Sequence, residues 1–190
     1  MKANGLIYQI KITLKEVKPP VWRRVQVEGD ISLHVLHKIL NEAMGWMDSH
    51  LYQFRIGETY YSVPDPDGEF PAKNSETVRL SRLVPKEKAR FVYEYDFGDG
   101  WEHEVLLEKI MPPEPGKKYP LCLAGARACP PEDCGGDGGY AELLEILKDP
   151  KHERYAEMTE WLERPFDPEA FNLNETDQTV RRAPSRVEFR

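Results

Sequence analysis

Cys122, Cys129 and Cys134 are the chain's 3 cysteines, and they lie in a Pro- and Gly-rich stretch with little hydrophobic reason to be ordered. Zinc would supply that reason, because thiolates hold it tetrahedrally in sets of three or four Cys and His ligands, and His103 or His152 is the candidate fourth ligand. Glu132 or Asp133 would then stand beside the metal as acid or base for metal-assisted hydrolysis. The opposing reading is a structural one: the spacing is wider than the knuckle of common zinc modules, and a reduced cysteine also serves as a small buried hydrophobe. An odd number of cysteines does not suit a disulfide framework, so the thiols are expected to be reduced in a cytoplasmic protein.

A second set is His34, His37 and Asn41, which a helical projection gathers within about 60°, with His50 at the start of the following strand. Two histidines three residues apart can share a metal, but His37 also borders an apolar stripe and suits a satisfied packing role. Asp96-Phe97-Gly98 has the letters of the kinase metal-binding tripeptide without the rest of that pattern, and reads as a turn. Cys134-Gly135-Gly136-Asp137-Gly138-Gly139 resembles an anion-binding nest but lacks the Lys-Ser/Thr of a phosphate loop, and reads as a helix lead-in. There is no Gly-x-Ser-x-Gly elbow and no His-Glu-x-x-His.

The elements that must position these residues follow from periodicity. Leu6, Tyr8, Ile10, Ile12 and Leu14 alternate with polar residues, the period of a half-buried strand. After Pro19-Pro20, Val21, Arg23, Val25 and Val27 share one face of a second strand, and the two pair as a hairpin. Ser32 caps a helix whose stripe is Leu33, Leu36, Ile39, Leu40, Ala43 and Met44, ended by Gly45. Leu51 to Ile56 is the next strand, so the opening predicts a β-grasp-like arrangement with the helix across the sheet. Residues 62–77 form a polar loop, suited to a lid or to a long connection.

Phe91 to Ile110 predicts a further hairpin around Gly98-Asp99-Gly100. A three-residue loop sets Phe97 opposite Trp101, Tyr95 opposite His103, Tyr93 opposite Val105 and Phe91 opposite Leu107, giving one aromatic-apolar face. The other face then opposes Asp96 to Glu102 and Glu94 to Glu104, so a cation is expected between them, with Arg23 or Arg24 the candidates. Residues 111–139 are irregular. Tyr140, Leu143, Leu144 and Leu147 stripe one helix, and Tyr155, Met158 and Leu162 a second. Residues 1–180 are thus one α+β domain, strand-rich over 1–110 and helical over 140–172, followed by a flexible basic tail, 181–190.

At 190 residues, with 40% hydrophobic and 31% charged, the chain can bury roughly 70% of its unfolded surface and needs neither metal nor disulfide to fold. No apolar run approaches the ~20 residues that span a bilayer, and the N-terminus lacks a secretory pattern, so no membrane partner is expected. The net charge of −7 is carried by the body of the chain, which argues against coating nucleic acid. Arg181, Arg182, Arg186 and Arg190 leave a small anion-seeking tail.

Several strings together resemble the plasmid pRiA-type ORF-three-like family, whose members are sometimes labelled insertion-sequence passenger TnpR. They are Pro19-Pro20-Val21-Trp22-Arg23-Arg24, Leu36-His37, Met44-Gly45-Trp46, His50-Leu51 and Tyr95-Asp96-Phe97-Gly98-Asp99-Gly100-Trp101-Glu102-His103. Cys129-Pro130-Pro131-Glu132-Asp133-Cys134-Gly135-Gly136, Gly139-Tyr140 and Phe166-Asp167-Pro168 complete the set. The resemblance covers roughly residues 6–171 and implies a link to plasmids or mobile elements, with no established biochemical activity to transfer. A serine recombinase would need an activated serine amid arginines and a basic DNA-binding module, and the chain has neither.

The resulting expectation is a non-catalytic binding or interaction module for a protein or small-molecule partner. Trp22, Arg23, Arg24, His37, Trp46, His50, Asp96, Asp99 and Trp101 are its candidate binding residues, since aromatics beside charges suit recognition. The alternatives are a zinc-binding domain or metal-dependent hydrolase built on Cys122, Cys129, Cys134 and His103, and nucleic-acid binding through Arg23, Arg24 and the arginine tail.

Overall fold

A computed structural model describes residues 5–64 and 71–185. Its strands are β1 (Ile7–Leu14), β2 (Trp22–Glu28), β3 (Tyr52–Ile56), β4 (Thr59–Ser62), β5 (Lys73–Asn74), β6 (Arg90–Tyr95), β7 (Trp101–Met111) and β8 (Leu121–Ala126). Its helices are α1 (Leu33–Met44), α2 (Leu80–Leu83), α3 (Gly136–Lys148), α4 (Tyr155–Trp161) and α5 (Leu173–Arg182). The protein is therefore α+β, as its periodicities predict.

The alternation in β1 and β2 does what a period of two requires: Tyr8, Ile10, Ile12 and Leu14 on β1, and Val25 and Val27 on β2 with Val21 just before it, are buried on one face. Arg23 is buried on that same face. Helix α1 lies where its stripe demands. Ser32 accepts the Val35 amide at its N-terminus, and Gly45, at φ 100°, ends it in the left-handed region, a conformation open to glycine at little cost. Leu33, Leu36, Ile39, Leu40, Ala43 and Met44 are all buried, and each large side chain so buried contributes about 1.5–3 kcal/mol.

The sheet order β5-β4-β3-β6-β7-β1-β2-β8 differs from the β-grasp adjacency expected from the opening elements. The strand after α1 does not join β1. It pairs with β6, and β7 takes the place beside β1. The sequence of local elements was compatible with both orders, and the long β7, eleven residues, supplies the larger pairing edge for β1.

The β6–β7 hairpin departs from the expected register by two residues. Tyr95 opposes Trp101, Tyr93 opposes His103 and Phe91 opposes Val105, so the turn is Asp96–Gly100. Asp96 leaves the ladder with φ 58°, and its Oδ1 accepts the Gly98 and Asp99 amides at 3.0 and 3.4 Å while its carbonyl accepts the Gly100 amide at 2.6 Å. This side-chain capture of turn amides favours the wider loop. Phe97 is consequently 37% exposed. A shift of two preserves which face each side chain occupies, so Tyr93, Tyr95, Trp101 and Val105 remain together in the core with His103 buried on the same face.

On the outer face Glu94 now opposes Glu102 and Glu104 opposes Val92. Compensating groups are present, but they are not Arg23 or Arg24. Lys15 donates to Glu102 at 2.5 Å, Gln53 to Glu94 at 2.5 Å and Arg90 to Glu104. Arg24 instead makes a two-pronged contact with Glu108 at 2.7 and 2.9 Å.

The second half of the chain differs from expectation in two places. Residues 121–126, expected to be irregular, form the edge strand β8 on β2, and Cys122 is buried in it. Arg181 and Arg182, expected in a flexible tail, belong to α5, whose Val180 is buried, as is Ala183 just beyond it. Arg186 and Arg190 lie outside the described residues, as do residues 65–70 of the polar loop.

Candidate functional site

Three segments far apart in the chain meet at one end of the sheet: Trp46–His50 after α1, the Asp96–Gly100 turn, and Cys129–Gly136 before α3. Trp46 is the first anchor. Its indole donates to the Pro130 carbonyl at 3.0 Å, and its ring stacks on Tyr95 at 5.0 Å and on Trp101 at 6.1 Å. Tyr95 is the second. Its hydroxyl donates to Glu132 Oε1 at 2.5 Å and accepts the Ser49 and His50 amides at 3.0 and 3.3 Å. Burial, with the Glu132 carboxylate next in weight, holds the Tyr95 phenol well above its usual range.

Asp99 closes the third side. Its Oδ2 accepts the Gly135 amide at 3.2 Å, so the head of α3 is occupied by a carboxylate of the chain itself, in keeping with the partial positive charge of a helix N-terminus. The glycine-rich lead-in is explained by this docking. A Cβ on Gly136 would stand 2.5 Å from the Asp99 carbonyl oxygen, and its φ is +68°.

His50 sits between two carboxylates held in this frame. Its Nδ1 is 3.7 Å from Asp96 Oδ1 and its Nε2 is 3.3 Å from Asp133 Oδ1. One donor atom from each of His50, Asp96 and Asp133 lies within 4.8 Å of the other two, the one such group of His, Cys, Asp and Glu among the described residues. Cys122, Cys129, Cys134 and His103 are not brought together in this way. Burial pushes the Cys129 thiol far up and the Cys134 thiol up to about 12, so both are neutral near pH 7. His103 is fully buried, with Nδ1 3.2 Å from the Tyr93 carbonyl oxygen, and burial lowers its pKa to about 4.

The other candidates fall in three places. His37 is a packing residue, stacked on Tyr52 at 3.5 Å and bonded to the Tyr93 hydroxyl and Asp48 at 2.8 and 2.7 Å; His34 bonds the Tyr52 hydroxyl at 2.8 Å. Trp22 and Arg24 lie on the outer face of β2, where Arg24 and Lys11 cover the Trp22 ring. Arg23, one residue along and therefore on the opposite face, donates to the Ala43, Trp22 and Ala126 carbonyls and lies 4.6 Å over Phe171.

Arg23 and Trp46 also line an open groove of about 910 Å³ that runs between the C-terminal end of α1, residues 128–133, and residues 161–179. Met47 and Trp161 stand on it, 69% and 42% exposed. Its carboxylates are Glu42, Glu132, Asp133, Glu163 and Glu175, against the guanidiniums of Arg23 and Arg164. Sequence reasoning missed Met47, Trp161, Glu163 and Glu175, for they fall outside any motif and only the packing of α5 brings its start opposite α1. The joining of His50 to Asp96 and Asp133 carried a signal: each stands in one of the quoted strings.

Residues 6–175 match the family described as plasmid pRiA4b ORF-3-like protein. The chain belongs to this family. The chain is 41% identical over 176 residues to the uncharacterized protein y4hQ of Sinorhizobium fredii, covering 92% of this chain and 90% of that protein. The fold is similar to the crystal structure of a protein of unknown function, MM3350, from Methanosarcina mazei Go1, with a TM-score of 0.80 at 37% identity, over 90% of this chain and 97% of the other. Among the described residues no helix is long and apolar enough to cross a membrane.

Proposed function

We propose that this member of the pRiA4b ORF-3-like family is a binding module that takes an extended, basic and apolar peptide segment in the groove beside Trp46. The observation that carries the reading is the groove's composition: exposed Met47 and Trp161 beside five carboxylates, with the guanidinium of Arg23 buried and engaged with backbone carbonyls. Its volume of about 910 Å³ is at the upper end of the range for ligand clefts. Large apolar side chains give area for contact, and the excess of acid selects a cation and speeds its approach.

The test is a fluorescence titration of the full chain with a labelled ten-residue peptide alternating Lys and Leu, against a Glu–Leu control. The expected result is saturable binding of the first that weakens with salt and falls about fivefold in E163Q/E175Q. Equal binding of the control, or affinity indifferent to both salt and the double substitution, overturns the reading.

A further inference from the structure

We infer that His50, Asp96 and Asp133 form a site for one divalent first-row transition ion, such as zinc or manganese. The inference concerns the cluster alone and does not depend on what occupies the groove.

Metal–ligand bonds of about 2.0–2.2 Å set neighbouring donors of a tetrahedral ion roughly 3.4 Å apart. One donor from each residue already lies within 4.8 Å of the others, so closing on an ion needs a movement on the order of an ångström. Asp133, whose side chain is 70% exposed, can make it, while Asp96 is fixed by the turn amides on its Oδ1 and its own amide bonded to the Leu51 carbonyl at 2.9 Å.

The residues are also left wanting a cation. Asp96 is buried, and its side chain has no lysine or arginine partner among the described residues, only His50 at 3.7 Å. His50 Nε2 is buried and makes no hydrogen bond, despite lying 3.3 Å from Asp133 Oδ1. Asp99 and Glu132 add two more carboxylates within the same frame, taken up by the Gly135 amide and the Tyr95 hydroxyl without any basic side chain. Buried carboxylates ordinarily stay charged beside a paired cation or a metal.

The donor set selects the ion. One imidazole nitrogen with two carboxylate oxygens suits zinc, manganese or iron better than magnesium or calcium, which favour all-oxygen shells. Three protein donors also leave coordination positions open to water or to a ligand.

Isothermal titration of the full, untagged chain, stripped with chelator and held at pH 7, tests the site with zinc and manganese chloride. The expected result is one equivalent bound, at least tenfold weaker in H50A and D96N, and unchanged in C129S. D133N serves as the variant that leaves the fold intact, because its side chain is exposed, and it too is expected to weaken binding at least tenfold. No saturable binding, binding that survives D133N, or binding lost only in C129S overturns the assignment.

Discussion

The Tyr95 hydroxyl donates to Glu132 while accepting the amides of Ser49 and His50, so one phenolic oxygen ties the α1–β3 connection to the segment before α3. Tyr95 belongs to β6 and is buried in the sheet. It therefore fixes the position of both segments relative to the core.

Tyr95→Phe removes that tie and keeps the ring. A carboxylate and two amides lose their shared partner, for which a charged hydrogen bond in partly buried surroundings predicts a loss of about 2 kcal/mol. Urea denaturation measures it. A loss below about 0.5 kcal/mol would mean that water replaces the hydroxyl at no cost and that the Trp46 stack holds the segments by itself.

Gly136→Ala tests the docking of the hairpin turn on α3. The new Cβ would meet the Asp99 carbonyl oxygen at 2.5 Å, from a residue at φ +68°, and neither the turn nor the helix head can yield without giving up the Asp99–Gly135 hydrogen bond. Destabilisation of about 1–3 kcal/mol is expected. A thermal melt unchanged from wild type would show that the turn and α3 are not in contact in solution.

Much of this architecture is legible in the residues, and the part that is not has definite causes. The faces of β1, β2, α1 and the β6–β7 hairpin follow from period, since a buried face leaves little choice of orientation. The hairpin's register was not fixed by the same pattern, because shifting a pair by two residues preserves every face and the decision passes to Asp96 and its turn amides. Strand order is non-local, and hairpin–helix–strand is compatible with more than one sheet. The cysteines drew attention by type, yet they form no close group of three donors among the described residues, while His50, Asp96 and Asp133, in three separate strings, meet only once the chain is folded.

His103 predicts an acid-sensitive window. Burial holds its folded pKa at about 4, against an unfolded value near 6.5, so between those values the unfolded chain binds a proton that the folded chain does not. Stability conferred by the neutral imidazole is full above pH 6.5 and declines as pH falls towards 4, by a total of about 3 kcal/mol. Denaturation of wild type and His103→Leu at pH 7 and pH 4.5 separates this from the carboxylates, which titrate in both. The wild type should lose more stability across that interval than the variant, and equal losses would show that His103 is protonated in the folded chain.

Asp133 lines the groove and is also a donor of the His50 cluster, which couples the two proposals in a definite sense. An ion drawing Asp133 towards His50 and Asp96 withdraws one carboxylate from the groove and brings positive charge to its rim. A basic peptide should then bind the zinc-saturated chain about threefold to tenfold more weakly than the stripped chain, a coupling of roughly 1 kcal/mol. Reciprocity requires the peptide to weaken zinc by the same factor. In D133N the stripped chain should bind the peptide more weakly than wild type, and added zinc should make little further difference. Peptide affinity identical with and without zinc, while zinc binding itself is confirmed, would show that Asp133 serves the ion alone and that the groove ends short of it.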